Sequence, residues 1–490
     1  MPAELRFLCM DKDDLIWQKL EEATDEWYKS IRTTELYRAV GNFILKYRDG
    51  QPELMHIAVK GGYNVVYRLE YKDGTSAIMR IPIKGVVPFP DEKVQYEVAT
   101  MRYVAANTTI PVPHVYHYGT AAENPTGLGP FIIMDYIEHH QNMSRELLDQ
   151  ESAIDKRPIL DPNISEEKLE FLYAQMANIL LQLSTLKFPR IGSLVEKKGE
   201  NSISVNGRPL IENMSDLVVH TNMPASILPS QTYASADEWY RALADMHMAQ
   251  LTFQRNDAVE DEDDARDKYT ARQLFRNLAA EKRLMPNPSN LDDGFRLFSE
   301  DFRPANVLLD KDLRVVGVID WEFAYAAPAQ FSFDPFWWLL LEDPESWAGG
   351  YRTWMEAYEP RLQTFLRVLE AEEEKVAAAN LAEKVSRLSL TGSGKAEPLL
   401  SQRMRESWEK RTWMINYAAR KSWAFDFIWW RFLDENYFGP NENQDYKVRL
   451  ELLSGPQRKV MEDFVAHKMK ESKNEETIKW GDEDLARFLV

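Results

Sequence analysis

The fold of this chain is decided by residues 297–323, which read LFSEDFRPANVLLDKDLRVVGVIDWEF. This stretch predicts a loop, a short strand at Val307–Leu309, a polar turn at Lys311-Asp312 and a second strand at Val315–Ile319. Short runs of Val, Leu and Ile on either side of a polar turn are typical of a β-hairpin. The polar residues stand at the ends of the hairpin, where a rigid support can hold chemical groups.

Three oxygen-bearing side chains flank this hairpin. Asp301 precedes the first strand, and Asn306 lies five residues after Asp301, directly before that strand. Asp320 closes the second strand. Folding the hairpin would bring all three to one end, and hard oxygen donors of this kind are what a Mg²⁺-nucleotide site requires. In the alternative interpretation this is a surface hairpin in which Asp and Asn only form turns. The hairpin alone does not choose between the two.

The order Asp-x-x-x-x-Asn, hairpin, Ile-Asp-Trp-Glu resembles the catalytic segments of the aminoglycoside phosphotransferase and choline kinase-like family, including its fungal-type branch. This family belongs to the protein-kinase-like superfamily. The resemblance implies that Asp301 accepts the proton of the substrate hydroxyl, while Asn306 and Asp320 hold Mg²⁺ against the ATP phosphates. It also makes Glu322 an additional candidate near the metal.

Composition limits the classes of function. The chain has 490 residues, of which 44% are hydrophobic and 12% aromatic, as expected for a globular protein of two or three domains. Its net charge of −19 argues against a nucleic-acid binder and favours cationic substrates. One cysteine, Cys9, fits a reducing compartment. No signal-peptide core or membrane-length apolar run is found, so we expect a soluble cytoplasmic protein without a membrane partner.

A glycine pair lies between two predicted strands near the start of the chain. Adjacent glycines expose N–H groups and permit close backbone approach, as phosphate loops do, although most such pairs are ordinary turns. The segment is similar to the family's nucleotide-covering loop, Gly-Gly-x-x-Asn and an aromatic residue, which implies nucleotide contacts from Gly61, Gly62, Tyr63 and Asn64. Asn64 follows the glycines one place sooner than in the family. Arg80, on the next strand, stands where the family has the Lys that meets the α- and β-phosphates.

A carboxylate interrupts the apolar face of the next helix. The helix predicted at Asp91–Asn107 has an apolar face formed by Val94, Val98, Met101 and Val104/Ala105. Glu97 falls within this face, and a buried carboxylate needs a partner because an unpaired buried charge is costly. Arg80 is the obvious candidate, and the resemblance implies an ion pair between this strand and this helix. In the alternative, Glu97 lies at the edge of the face and reaches water.

Two further strands complete the predicted nucleotide-binding region. Val115–Gly119 and Phe131–Ile137 are strand runs separated by a turn rich in Gly and Pro. The second run is similar to the family's last strand and hinge, whose backbone groups contact adenine. The resemblance implies that these contacts come from Met134, Asp135, Tyr136 and Ile137. In the alternative, residues 131–137 form a central strand of the sheet without contacting adenine, and such a strand would have the same composition.

The pattern becomes mainly helical after residue 138. Helices are predicted at residues 166–183, 236–255 and 268–283, and over most of the chain beyond Glu342. The acidic run at residues 260–267 is typical of a solvated surface. Aromatic residues between Arg403 and Phe438 indicate a helical core segment, with a role in the acceptor cleft left open. Asp334 resembles a residue that braces the family's active-site loops.

These elements in their order predict an α+β, two-lobed protein-kinase-like fold, with a small antiparallel β N-lobe and a large, mainly helical C-lobe. We expect a helical extension at residues 1–50, a nucleotide-binding N-lobe at 51–137, and a catalytic and acceptor-binding C-lobe at 138–490. Residues 389–398, rich in Ser and Gly, are predicted to form a mobile connector.

The predicted function is an ATP- and Mg²⁺-dependent transfer of phosphate to a hydroxyl group of a small molecule. Ile-Asp-Trp-Glu in place of Asp-Phe-Gly favours the small-molecule branch over protein kinases. The chain departs from the family at Ser299 and Glu300, which replace the usual His and Gly, and at Arg80. Ser299 and Arg80 favour the alternative, a nucleotide-binding or scaffold pseudoenzyme. Retention of Asp301, Asn306 and Asp320 counts against it.

Overall fold

The computed structural model describes residues 12, 14–149, 158–197, 202–221, 223–255, 257–284, 294–386 and 398–473. The connector predicted at 389–398 falls outside these ranges, apart from its last residue. The described part of the predicted N-terminal extension contains two helices, α1 Asp14–Ser30 and α2 Thr34–Leu45. The second begins where the Oγ1 atom of Thr33 accepts a hydrogen bond from the Leu36 N–H.

Antiparallel pairing joins every strand pair in the described part of the chain. The strands are β1 Pro52–Met55, β2 Val59–Lys60, β3 Asn64–Tyr71, β4 Ser76–Pro82, β5 Val115–Gly119, β6 Phe131–Asp135, β7 Gln141–Asn142, β8 Lys187–Phe188, β9 Ser193–Lys197, β10 Ser202–Gly207, β11 Phe295–Ser299, β12 Val307–Leu309, β13 Val315–Val318 and β14 Ala324–Pro328. The small lobe contains one sheet in the order β1-β3-β4-β6-β5, with β2 also paired to β3. Two three-stranded sheets, β14-β11-β8 and β13-β12-β7, and the hairpin β9–β10 belong to the larger lobe.

The helices that follow the first two are α3 Pro90–Asn107, α4 Met143–Leu147, α5 Glu166–Ser184, α6 Glu212–Thr221, α7 Ala236–Phe253, α8 Glu262–Ala280, α9 Ala329–Ser332, α10 Gly350–Ser386, α11 Leu400–Glu409, α12 Thr412–Arg420, α13 Phe425–Ile428, α14 Asp434–Phe438 and α15 Gly455–Lys473. A π-helical turn at Trp429–Leu433 separates α13 from α14. None of the helices in the described ranges has an apolar stretch that could cross a membrane.

Alternation along β4 and β6 gives the small lobe two different faces, because successive side chains of a strand point to opposite sides. Met79, Ile81 and Ile133 belong to a core closed by α1 and α2. Ile78, Ile132 and Met134 belong to the larger core that includes α3. Arg80 follows Ile78 by two residues, so its side chain points to the same side as Ile78, towards α3 and the cleft between the lobes.

Aromatic side chains dominate the core of the large lobe. Its fully buried residues of greatest volume include Trp239, Trp321, Trp338, Trp354, Trp429 and Trp430. Arg272 on α8 and Asp426 on α13 form a buried bidentate ion pair, with N–O distances of 2.7 and 2.9 Å. The aromatic segment predicted between Arg403 and Phe438 is core at six positions and half-buried at Trp408, Trp423, Phe432 and Tyr437. The buried six are Trp413, Tyr417, Phe425, Phe427, Trp429 and Trp430. The two-lobed α+β fold is confirmed.

Three local predictions are corrected by the structure. The region before Asp301, predicted as a loop, contains strand β11, because its pairing with β14 and β8 is a long-range contact that local sequence does not show. The hairpin and hinge strands end at Val318 and Asp135, not at Ile319 and Ile137. The helix predicted at 268–283 begins earlier, at Glu262, and is capped by Asp261, since carboxylates stabilise a helix N-terminus. The acidic run itself is exposed from Glu260 to Asp263, as predicted.

Candidate active site

Backbone pairing brings the two loops of the candidate site together. Strand β11 ends at Ser299 opposite Ala324, where β14 begins. The Ile319 N–H donates to the Asn306 carbonyl at 2.9 Å, across the open end of the β12–β13 hairpin. The loop that carries Asp301 and Asn306 therefore lies beside the residues that follow β13, as predicted from the hairpin.

Asp301 is held by two neighbours on its own loop. The Asn306 Nδ2 group donates to the Asp301 main-chain carbonyl at 2.8 Å and to its Oδ2 at 2.9 Å. Arg303 Nε lies 2.7 Å from Asp301 Oδ1. Burial raises the pKa of Asp301, against the opposing effect of the Arg303 charge and the Asn306 hydrogen bond. The carboxylate is thus fixed in direction and its basicity is increased.

Arg80 connects the small lobe to three carboxylates. Its Nη1 atom lies 2.8 Å from Glu97 Oε1 and 2.8 Å from Asp320 Oδ1. Its Nη2 atom lies 2.6 Å from Glu322 Oε2. The predicted Arg80–Glu97 ion pair is present, and Glu97 is buried within the apolar face of α3. The guanidinium group therefore joins β4 to α3 and to the segment after β13.

Lys93 is a site residue that the sequence analysis missed. It precedes Glu97 by one turn of α3, and its ammonium group contacts Glu322 and donates to Asn64 Oδ1 at 2.8 Å. Asn64 Nδ2 in turn donates to Glu322 Oε2 at 2.9 Å. The position of Lys93 one turn from a predicted buried Glu was the signal that could have revealed it.

The two glutamates of this cluster have opposite pKa shifts. Burial raises the pKa of Glu97 to about 7, against the charges of Arg80 and Lys93. Burial acts in the same direction on Glu322, but Lys93, Arg80 and the Asn64 hydrogen bond outweigh it and lower its pKa to about 2. Glu322 is therefore a permanent anion that organises the surrounding cations.

A cavity of about 460 Å³ lies between the lobes. The lining includes most of the predicted site residues, namely Gly61, Gly62, Tyr63, Asn64, Arg80, Met134, Asp135, Tyr136, Ile137, Asp301, Asp320 and Glu322. Glu97 and Asn306 stand behind this lining, in contact with Arg80 and Asp301. Glu212 on α6, which was not predicted, also lines the cavity and accepts a hydrogen bond from the Tyr63 hydroxyl at 3.2 Å. The structure thus brings all the predicted site residues to one cleft.

Backbone strain marks the segment after β13. Asp320 and Phe323 both have a φ of 58°, in the left-handed region that side chains with a Cβ rarely adopt. Such strain is found at functional sites, where the surrounding structure maintains it. In this segment the strained backbone at Asp320 accompanies the pairing of the Asp320 side chain with Arg80 across the cleft.

Glu300 and Asp334 both form hydrogen bonds with residues of α11 or α12. Glu300 accepts a hydrogen bond from Arg420 Nη1 at 3.1 Å, which joins the Asp301 loop to the end of α12. Asp334 accepts hydrogen bonds from Ser407 at 2.7 Å and from Asn416 at 3.1 Å. Asp334 therefore contacts α11 and α12, and the bracing of the active-site loops stays a prediction.

The residues that could hold a divalent cation are Asn306 and Asp320. Within the described ranges, no three side chains of His, Cys, Asp or Glu form a ready-made metal site. Asn306 uses its amide nitrogen to bind Asp301, and the Asp320 side chain is 31% exposed to the cleft. Mg²⁺ is commonly held by one or two protein ligands together with substrate phosphates. The donor set fits that mode of binding.

Comparison with known proteins finds relatives that share part of this sequence. A subtelomeric hrmA-associated cluster protein of Aspergillus fumigatus is 31% identical over 102 residues, which are 21% of this chain and 17% of that protein. Altered inheritance of mitochondria protein 9, mitochondrial, of Clavispora lusitaniae is 26% identical over 270 residues, 49% of this chain and 42% of that protein. The chain therefore matches less than half the length of these curated relatives.

Solved structures of similar fold include Plasmodium vivax ethanolamine kinase, with 10% identity, a TM-score of 0.39, and coverage of 93% of this chain and 98% of that chain. Another is a thermostable variant of the aminoglycoside phosphotransferase APH(4)-Ia in complex with AMP-PNP and hygromycin B, with 14% identity, a TM-score of 0.37, and coverage of 74% and 96%. The model of the phosphotransferase enzyme family matches residues 57–370, which is more than half of the chain. The chain belongs to the phosphotransferase enzyme family.

Proposed function

We propose that this protein transfers the γ-phosphoryl group of ATP, in the presence of Mg²⁺, to a hydroxyl group of a small molecule. The observation that carries the proposal is the placement of Asp301, Asn306 and Asp320 at one cleft. That cleft is also lined by the glycine pair and by the strand β6 and its continuation. Residues 51–137 would form the nucleotide-binding lobe, and residues 138–490 would provide catalysis and acceptor binding.

The adenine would lie against the apolar part of the cleft. Val66, Ile78 and Met134 line it from the small lobe, and Leu308 and Ile319 line it from the hairpin of the large lobe. Apolar walls on two sides with a polar strand edge between them suit a flat heteroaromatic ring. The segment from Met134 to Ile137 would supply the backbone contacts.

The phosphates would lie beneath the glycine pair. A Cβ atom at Gly62 would meet nothing within 4 Å, and one at Gly61 would meet only the Asn64 carbonyl, at 3.5 Å. Protein packing therefore does not require these glycines, which supports a role in close approach of a ligand to the backbone. In the proposed complex Arg80 binds the α- and β-phosphates, and its contact with Glu97 fixes the guanidinium group.

Asp301 would act as the catalytic base. Its carboxylate, oriented by Asn306 and Arg303, would accept the proton of the acceptor hydroxyl as that oxygen attacks the γ-phosphorus. The bond between this phosphorus and the β–γ bridging oxygen would break, with ADP as the leaving group. Mg²⁺ held by Asn306 and Asp320, with Glu322 behind them, would supply charge neutralisation at the phosphates. Most of the rate enhancement would come from positioning and from this neutralisation.

The acceptor would occupy the part of the cleft near Glu212. Burial, followed by the charge of Asp216, raises the pKa of Glu212 to about 7, so this carboxyl group can accept or donate a hydrogen bond near neutral pH. Such a group can bind hydroxyl or amino substituents. The acceptor class therefore includes polyols and amino alcohols, and a screen is needed to choose among them.

A second candidate is a nucleotide-binding pseudoenzyme. It is favoured by the ion pair between Arg80 and Asp320, since a cation that occupies the proposed metal ligand competes with Mg²⁺. Catalysis would require that pair to open when MgATP binds. In the pseudoenzyme it would stay closed.

Two measurements distinguish these functions. A rise in melting temperature with MgATP, relative to Mg²⁺ alone, would establish nucleotide binding, which both candidate functions require. Release of ADP that depends on an added acceptor, in a screen of sugars, amino sugars and amino alcohols, would establish the enzyme. Nucleotide binding without acceptor-dependent ADP release throughout the screen would favour the pseudoenzyme. No thermal shift with MgATP would contradict both.

A further inference from the structure

The ammonium group of Lys12, just before α1, lies in a cage of rings and one carboxylate outside the catalytic cleft. Its Nζ atom is 2.8 Å from Asp216 Oδ2, 5.1 Å from the ring centroid of Trp423 and 5.8 Å from that of Trp17. These distances are within the range of a salt bridge and of cation–π interactions. We call Trp17, Asp216, His220 and Trp423 the cation cage.

His220 provides the third ring of the cation cage. It stacks on Trp17 with centroids 5.2 Å apart and an interplanar angle of 13°, and it meets Trp423 edge to face at 6.3 Å. Burial, and then the charge of Lys12, lower the pKa of His220 to about 4. The imidazole is therefore neutral near pH 7 and acts as a ring, not as a competing cation.

Most of the cation cage is fixed without Lys12. Asp216 and His220 lie one turn apart on α6. Asn213 on the same helix accepts a hydrogen bond from the Ser422 N–H at 3.2 Å and donates one to the Ser422 hydroxyl at 3.0 Å. These bonds fix Ser422, the residue before Trp423. The Trp423 Nε1 group donates to Gln254 at 2.9 Å. Removing the Lys12 side chain would leave two of the rings and the carboxylate in place.

Solvent can reach the cation cage. The side chains of Lys12 and Asp216 are 28% and 19% exposed, and Trp17 is 45% exposed. Glu212, one turn before Asp216 on α6, lines the cleft. A small molecule could therefore enter the cage from outside, and the cage adjoins the end of the cleft that Glu212 lines.

We propose that the cation cage is a binding site for the alkylammonium group of a small molecule, and that Lys12 is its intramolecular competitor. A carboxylate beside two indole rings selects a cation and disfavours an anion or a neutral ligand. Because Lys12 is part of the chain, its effective concentration at the cage is high, and an external ligand must displace it. This proposal does not rest on the proposed phosphoryl transfer.

The test is a calorimetric titration of the full chain with tetramethylammonium chloride, without nucleotide and with NaCl keeping ionic strength constant. The Lys12→Ala variant should bind the probe about tenfold more tightly than the wild type, because the tethered competitor is gone. Adding Trp423→Leu or Asp216→Asn to Lys12→Ala should abolish that gain.

Lys60→Ala is the matched control. Lys60 also pairs with a carboxylate, Asp25 on α1 at 2.8 Å, and lies 6.0 Å from the Tyr28 ring, but it does not enter the cage. This variant should bind tetramethylammonium as the wild type does. Equal affinity in wild type and Lys12→Ala would overturn the proposal, as would a gain that survives Trp423→Leu. Neither result would affect the proposed phosphoryl transfer, which is tested with MgATP.

Discussion

Among single residues, Asp301 is the one on which the proposed chemistry depends most. Replacing it by Asn keeps the shape of the side chain but removes the proton acceptor. We expect Asp301→Asn to lower kcat by about 100- to 10,000-fold, the usual contribution of a general base, and to leave MgATP affinity nearly unchanged. Asp310→Asn, in the turn of the same hairpin, is the control and should retain activity. Undiminished turnover in Asp301→Asn would remove it from the base role.

The pH dependence of activity gives a second test of Asp301. Its reactive form is the carboxylate, and burial raises its pKa, so kcat/KM should fall as the pH drops through a value above the ordinary Asp range. Arg303 opposes that rise. Arg303→Ala should therefore move the acidic limb of the profile to higher pH, whereas Arg314→Ala, in the hairpin turn, should not. An unchanged limb in Arg303→Ala would contradict the assignment.

At the level of secondary-structure elements, α3 positions Arg80 through Glu97. Loss of that carboxylate leaves the guanidinium group with Asp320 and Glu322 alone, so it would be drawn towards the proposed metal ligands. We expect Glu97→Ala to weaken MgATP binding by at least about tenfold, with a small change in melting temperature. Glu92→Ala, which removes the pairing of the same helix with Arg208, is the control. Equal nucleotide affinity in Glu97→Ala and wild type would exclude Glu97 from the site.

Helices α11 and α12 meet at Asp334, and this contact should make stability depend on pH. Burial raises the pKa of Asp334 to about 7. A carboxyl group whose pKa is raised on folding stabilises the protein at low pH, and this contribution is lost as the pH rises through the folded value. Asp334→Asn cannot titrate, so its loss of stability between about pH 5 and about pH 8 should be smaller than that of the wild type. Urea denaturation at both pH values measures this, and an equal loss would contradict it.

At the scale of the whole molecule, the sequence predicted what local patterns and spacing encode. The hairpin and α3 followed from periodicity, and the need of the buried Glu97 for a partner followed from the cost of burying a charge. The pairing with Arg80 was implied by the family resemblance. Strand β11 was missed because its partners are distant in the chain. Lys93 was missed although its position one turn before the predicted buried Glu97 was a usable signal. Glu212 was missed because a Glu after a loop carries no local signal that distinguishes it from a surface residue.

The packing of the two lobes also explains why the departures from the family pattern were hard to interpret. Arg80 could be placed on its strand, but its contacts with Asp320 and Glu322 depend on how the lobes meet. The role of Glu300 depends in the same way on Arg420, more than a hundred residues later in the chain. Such contacts follow from the assembled fold and not from any one element.

The most direct test of the central claim is a calorimetric measurement of ATP binding, with and without Mg²⁺, by the wild type, Asp320→Asn and the control Asp312→Asn in the hairpin turn. The claim is that Asp301, Asn306 and Asp320 form the Mg²⁺-nucleotide end of the cleft. It predicts that Mg²⁺ strengthens ATP binding by the wild type and the control, and that Asp320→Asn loses this gain, at least about tenfold in Kd. The same Mg²⁺-dependent affinity in Asp320→Asn and wild type would contradict the claim.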